Sequence, residues 1–176
     1  MKSVAIRSFL IGGDRRSIGR ANKLVTLLEG RPDLLPELVC EMWSADAVLA
    51  MRAADALEKF TRKQADVLQR FKKELLGLAK ETCQQELRWH LAAMLPRLQL
   101  SSSERRQVIR ILIEYLEDKS SIVKTFALQG LFDLSLLHSE LRPQVEELLT
   151  AALSTGTAAM RARSRKLLSQ IAKKHR

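Results

Sequence analysis

The sequence predicts an all-α protein built as a solenoid of stacked helical hairpins, and three observations lead to this prediction. Gly and Pro are scarce, at 7 and 4 of the 176 residues, and only 5% of residues are aromatic, so the composition favours helices packed through aliphatic side chains. Apolar residues recur in steps of 4, 4 and 3 positions, which places them on one face of a helix. This stripe returns along the chain with a period of about 37 residues, as in a repeat array.

Turn and capping residues divide the chain into helices. Gly12 begins a predicted break, and Gly30 lies where a helix-ending C′ glycine is expected. Ser101 and Glu104 have the spacing of a capping box. Residues 1–11 are weakly helical, and no segment shows the alternation typical of a strand. The other predicted helices are 15–29, 31–43, 47–62, 66–79, 83–98, 104–116, 120–137, 141–153 and 157–173.

The helix predicted at Ser120–Leu137 carries the clearest stripe, and its small residues Ala127 and Gly130 would let a neighbouring helix approach closely. A partial stripe precedes the others at Ala21, Val25 and Leu28. The four full stripes are Leu49, Ala53, Leu57 and Phe60; Leu87, Leu91, Leu95 and Leu98; Val123, Ala127, Leu131 and Leu134; and Met160, Ser164, Leu168 and Ile171. Each would be buried, because a single hairpin cannot cover its own apolar face.

The striped helices resemble the second helix of HEAT repeats. Val123-Lys124, followed by Ala127 and Leu131, matches that pattern in full. A base also follows the first stripe position at Arg88 and Arg161, whereas the first repeat has Ala50 there and Arg52 about half a turn away. Asp46 and Asp118 resemble the acidic residue that this family often places before the second helix.

The resemblance implies a right-handed α-solenoid whose second helices line its concave side. A partial capping repeat would occupy residues 1–30, followed by about four repeats in one continuous domain. The predicted repeats are 31–63, 64–100, 101–138 and 139–176.

No residue pattern in the chain is typical of catalysis, of a metal site or of a bound cofactor. The histidines His90, His138 and His175 form no ligand set, and Gly12-Gly13 lacks the rest of a phosphate-binding loop. Cys40 and Cys83 are too few for a disulfide framework and are expected to be small buried thiols. The HEAT-like DNA alkylation-repair glycosylases offer a remote enzymatic alternative, but Trp89 and Asp133 are possible counterparts only by residue type. Trp89 and Trp43 are expected to be core or partly buried anchors.

The net charge of +10 is concentrated at the two ends of the chain. Residues 1–24 contain six Lys or Arg and one Asp, and residues 157–176 contain seven Lys or Arg and no acid, whereas the segment between them is nearly neutral. Basic surfaces of this kind attract nucleic acid or acidic proteins. No segment is apolar enough for a membrane span, and Arg7 interrupts any secretory signal, so a cytoplasmic location is expected.

Two functions follow as expectations. The first is a non-enzymatic scaffold that binds a protein partner on its concave face, with contacts at Arg52, Arg88, Lys124 and Arg161. The alternative is nucleic-acid binding through the basic terminal helices, with phosphate contacts at Arg15, Arg16, Arg20, Arg163, Arg165 and Lys166.

Overall fold

A computed structural model describes residues 6–12, 17 and 19–174 of the chain, and these residues contain helices but no strand. The α-helices are α1 (Arg7–Leu10), α2 (Ala21–Gly30), α3 (Leu35–Glu41), α4 (Ala47–Thr61), α5 (Lys72–Glu81), α6 (Gln85–Met94), α7 (Ser102–Tyr115), α8 (Ser121–Leu137), α9 (Arg142–Thr155) and α10 (Ala158–Lys174). Short 3-10 helices cover Pro32–Leu34, Ala65–Phe71, Leu95–Arg97 and Ser139–Leu141. The all-α class is therefore confirmed. None of the described helices combines the length and apolar character that crossing a membrane would require.

The chain divides into two compact units, unit 1 (Met1–Leu98) and unit 2 (Gln99–Arg176). In unit 1, α3 packs on α4 and α5 packs on α6, while α4 also contacts α2 and α6 and forms the centre of the unit. In unit 2, α7 packs on α8 and α9 packs on α10, and α8 also contacts α10. Each unit thus contains consecutive helical hairpins whose second helices are neighbours. The continuation of these hairpins into one solenoid stays a prediction.

The predicted stripes of α4, α6 and α8 form the core of their units. Every member of these stripes is buried, including Leu57, Leu95 and Leu131. The stripe of α10 is shifted, because Leu167 is buried at 1% exposure whereas Leu168 is only half-buried. Apolar spacings of 4, 4 and 3 residues and of 4, 3 and 4 residues both fit a helical period of 3.6. The sequence alone therefore could not show whether Leu167 or Leu168 is the buried residue.

The same capped turn precedes the second helix of three hairpins. Asp46 caps α4 by accepting from the backbone N–H of Val48 at 2.9 Å, and Ser120 caps α8. Two positions before each N-cap, a side-chain oxygen accepts the backbone N–H of the N-cap residue. These pairs are Ser44 with Asp46 at 3.2 Å, Thr82 with Gln84 at 3.2 Å, and Asp118 with Ser120 at 2.7 Å. The turn before the second helix therefore repeats along the chain, as the apolar stripe does. The capping box of Ser101 and Glu104 is also confirmed.

Three local expectations are wrong. Gly30 is the last residue of α2 rather than its C′ residue, and among the described glycines only Gly12 and Gly19 have positive φ. Cys40 and Cys83 are free and exposed rather than buried, because each lies on the solvent side at the end of its hairpin helix or turn. The helix expected from residue 15 begins at Ala21, and residues 13–16 lie outside the described part of the chain.

Candidate functional site

Arg52 is not available to a partner, because its side chain is buried at 1% exposure in unit 1. Its Nη1 donates to the carbonyls of Leu10 and Gly12, each at 2.6 Å, and its Nε donates to the carbonyl of Ser17 at 2.9 Å. A buried guanidinium requires such acceptors, since its N–H donors have lost water. Arg52 therefore holds the segment before α2 against α4, which corrects its expected place on a binding surface.

Arg88 and Arg161 act at the ends of the preceding helices in their own hairpins. Arg88 Nε donates to the carbonyl of Thr82, the C-cap of α5, at 2.9 Å. Arg161 Nη1 donates to the carbonyl of Gly156, the C-cap of α9, at 2.6 Å. Each cation thereby satisfies a terminal carbonyl and lies at the negative end of a helix dipole. The spacing of 5 to 6 residues between arginine and C-cap is the sequence signal for this role.

Lys124 differs from the other bases of this pattern. It is half-buried on α8, and its side chain forms no hydrogen bond or ion pair with a described residue. It lines a cleft of about 300 Å³ in unit 2, between the end of α7 and the junction of α9 with α10. The remaining lining residues are Leu116, Glu117, Leu128, Leu148, Ala151, Ala152, Thr155, Gly156, Thr157 and Met160. The cleft combines the Lys124 ammonium group with a wall of mixed aliphatic and polar side chains, which include the Glu117 carboxylate.

The outward side of α10 is basic along its length. Its sequence contains no Asp or Glu, and Arg161, Arg165, Lys166 and Lys173 are exposed. Arg165 and Lys166 have no partner among the described residues. Arg163 is half-buried, because it donates to Gln129 Oε1 at 2.6 Å and lies 5.9 Å from the centre of the Phe126 ring. Arg163 thus links α10 to α8, whereas the four cations named above are exposed to solvent.

The N-terminal cations are less fully described. Arg20 is exposed, donates to the carbonyl of Ser8 and lies 5.3 Å from the centre of the Phe9 ring. Arg15 and Arg16 lie outside the described residues. The structure therefore gives no joint surface for these three arginines.

Sequence reasoning missed a network of charged groups in unit 1, centred on the buried α4 carboxylates Asp55 and Glu58. Lys59 Nζ donates to Asp55 at 2.7 Å, and His90 Nε2 lies 3.6 Å from the same carboxylate. Burial raises the pKa of Asp55, but the neighbouring His90 ring and the hydrogen bond with Lys59 outweigh it, so the pKa falls below its usual value. The i,i+4 spacing of Asp55 and Lys59 was the available signal.

Glu58 is held in the same way by two arginines. Arg62, the C-cap residue of α4, donates to Glu58 at 2.7 Å, and Arg97 reaches Glu58 from the 3-10 helix after α6. Burial raises the pKa of Glu58, but its hydrogen bonds with Arg62 and Arg97 bring the pKa below its ordinary value. The pair with Arg97 joins α4 to the following hairpin, which is a structural role.

A second cleft, of about 200 Å³, lies in unit 1 beside Trp43. Trp43 is 44% exposed, so its expected role as a core or partly buried anchor does not describe it fully. The cleft is lined by Met42, Trp43, Ser44, Leu78, Glu81, Thr82, Gln84 and Leu87.

The described residues include no group of three or more His, Cys, Asp or Glu side chains placed to hold a metal ion. No protein-family model matches the chain, and neither a curated protein nor a solved structure matches it. Only the geometry of the chain's own residues therefore indicates its function.

Proposed function

We propose that the chain is a non-enzymatic binding module, built as a solenoid of HEAT-like hairpins, that holds an acidic segment of a protein partner in the cytoplasm. Its contact surface lies in unit 2 and comprises Lys124 on α8 with Arg165 and Lys166 on α10. We name these three residues the unit 2 cations.

The observation that carries this proposal is that α10 has no acid and that the unit 2 cations have no partner among the described residues. Three of the four expected contact residues already donate hydrogen bonds within the chain, so they contribute less to partner binding than the sequence predicts. These residues are Arg52, Arg88 and Arg161. Cations that repel one another along a helix are relieved by an acidic ligand. The exposed thiols of Cys40 and Cys83 fit the reducing compartment that the proposal assumes.

Each exposed ion pair contributes only about 0.2–1 kcal/mol, so the proposal requires several cations to act together. The surface would mainly accelerate association and orient the partner, as charges at the rim of an interface do. Aliphatic side chains of the partner would enter the cleft beside Lys124, where apolar area can be buried.

The test measures binding of the whole chain to a fluorescent polyglutamate peptide at low salt. We expect the triple variant Lys124→Glu, Arg165→Glu and Lys166→Glu to weaken binding roughly tenfold or more, because three attractive contacts become repulsive. A matched control carries Lys23→Glu, Lys63→Glu and Lys73→Glu, which change the net charge equally at exposed positions of unit 1. Equal loss of binding in both triples would contradict a localised surface.

Nucleic acid is the second candidate, favoured by the net charge of +10 for the whole chain. The same titration with duplex DNA and RNA distinguishes the two. Binding to a phosphate backbone would fall steeply with salt, with a slope of about −0.9 per phosphate contacted on duplex DNA. Tighter binding to duplex than to polyglutamate at equal salt, lost with Arg165→Gln and Lys166→Gln, would replace the protein partner with nucleic acid.

A further inference from the structure

We propose that the cleft beside Trp43 in unit 1 binds the side chain of a lysine or arginine from a protein partner. This site belongs to unit 1, and its test does not depend on the unit 2 cations.

The two clefts occupy the same place in the repeat. Gln84 is the N-cap of α6, and Thr157 immediately precedes α10. When these two positions are aligned in the sequence, several lining residues of one cleft match lining residues of the other. The matching lining residues are Leu78 with Ala151, Thr82 with Thr155, and Leu87 with Met160. A cleft at this position is thus a product of hairpin packing, and only the side chains that differ between the two can carry a specific function.

Trp43 is the main difference in unit 1: aligning Asp46 and Ser120, the N-caps of α4 and α8, pairs it with Glu117 of the unit 2 cleft. The Trp43 ring lies beside Gly77, where an added Cβ would be at an ordinary contact distance of 3.6 Å from Cη2 of the ring. The ring is nevertheless 44% exposed. An exposed tryptophan on a concave surface is a typical anchor for a partner.

The electrostatics of the unit 1 cleft favour a cation. Glu81 lines it and is the last residue of α5, where a negative charge meets the negative end of the helix dipole. The Glu81 carboxylate is exposed and has no ion pair with a described residue. Arg88 donates to the Thr82 carbonyl at the same helix end but forms no ion pair with Glu81. An incoming cation would relieve the unfavourable position of Glu81.

The chemistry and the size of the cleft then define the ligand. The face of Trp43 attracts a guanidinium or ammonium group, and the Glu81 carboxylate pairs with it. Gln84 adds a polar side chain to the same wall. A volume of about 200 Å³ is below that of most small-molecule sites and suits a single side chain.

The test follows the indole N–H resonances of Trp43 and Trp89 in ¹⁵N NMR spectra of the full chain. The probes are N-acetyl-arginine amide and N-acetyl-lysine amide, with uncharged N-acetyl-glutamine amide for comparison. We expect the Trp43 resonance alone to shift in a saturable way with the two cations, at millimolar concentration. Glu81→Gln should weaken this binding about threefold or more at low salt. Glu74→Gln, at an exposed position of α5 outside the cleft, should leave it unchanged.

The proposal is overturned by any of three results. The Trp43 resonance could show no saturable shift up to about 100 mM of either cation, which would place the affinity below any useful range. The uncharged amide could produce the same shift as the cations. Glu81→Gln and Glu74→Gln could have equal effects, which would remove the carboxylate from the site.

Discussion

Gly156 shows how one residue decides the shape of a hairpin end. A Cβ at this position would lie 2.4 Å from the Ala152 carbonyl oxygen and 3.0 Å from Met160 Cβ. Its φ of −73° is open to any residue, so the requirement for glycine is steric and not conformational. Gly30 is the opposite case, since a Cβ there meets nothing within 4 Å and its φ is not positive.

We therefore expect Gly156→Ala to lower the free energy of unfolding by about 1–3 kcal/mol, because the α9–α10 turn must shift. Gly30→Ala serves as the matched control and should raise stability by about 0.4–1 kcal/mol, since alanine reduces the entropy of the unfolded chain. Urea denaturation of both variants measures the difference. Equal stability of Gly156→Ala and the parent chain would contradict the steric account.

At the scale of the element, α4 is held to its neighbours by charge as well as by apolar packing. Its stripe is buried, but so are Asp55 and Glu58, whose partners include His90 and Arg97 from the next hairpin. A buried carboxylate is stable in this position only while its partners satisfy it. The contacts of α4 therefore depend on pH.

The pKa values of Asp55 and Glu58 are lower in the folded chain than in the unfolded chain. Their stabilisation is complete above the unfolded pKa values, about 4, and is lost as the pH falls through the folded values. We expect the free energy of unfolding to decrease steeply below about pH 4, measured by urea denaturation between pH 6 and 2.5. Glu58→Gln should flatten this decrease, whereas Glu114→Gln, at an exposed position of α7, should not. An unchanged pH profile in Glu58→Gln would argue against the network.

The helices were predictable because local signals agree with one another. Ser101 with Glu104, Asp46 and Ser120 mark helix starts by capping chemistry, and three apolar stripes have the period of a buried helix face. The choice between Leu167 and Leu168 was not predictable, because adjacent residues differ by only 100° around a helix. The partners of Arg52, up to 42 residues away, depend on tertiary packing that periodicity does not encode.

At the scale of the whole molecule, charge is the dominant feature. A net charge of +10 on 176 residues repels itself, and the acid-free α10 concentrates that repulsion. The candidate site was only partly predictable from the sequence. The sequence shows how many cations there are, but only the structure distinguishes Lys124 and Arg165 from Arg88 and Arg161, which are used within their hairpins.

Raising sodium chloride from about 0.02 M to 0.5 M should raise Tm, because the Debye length falls well below the spacing of the surface charges. The double variant Arg165→Gln and Lys166→Gln should have a higher Tm at low salt and a smaller gain with salt. Differential scanning calorimetry measures both effects. A Tm that falls with added salt would show that attractive ion pairs outweigh the repulsion.

In two hairpins the end of the first helix is satisfied from within the same hairpin, and this affects how the chain can change in length. In α5–α6 and α9–α10, the arginine that satisfies the end of the first helix comes from the second helix of the same hairpin. Deleting α9–α10 would therefore remove the end of α9 together with the arginine that satisfies it, whereas deleting α5–α6 and the 3-10 helix after it would also remove His90 and Arg97, the partners of Asp55 and Glu58. Growth or loss in blocks of about 37 residues is the change in length that this backbone tolerates best.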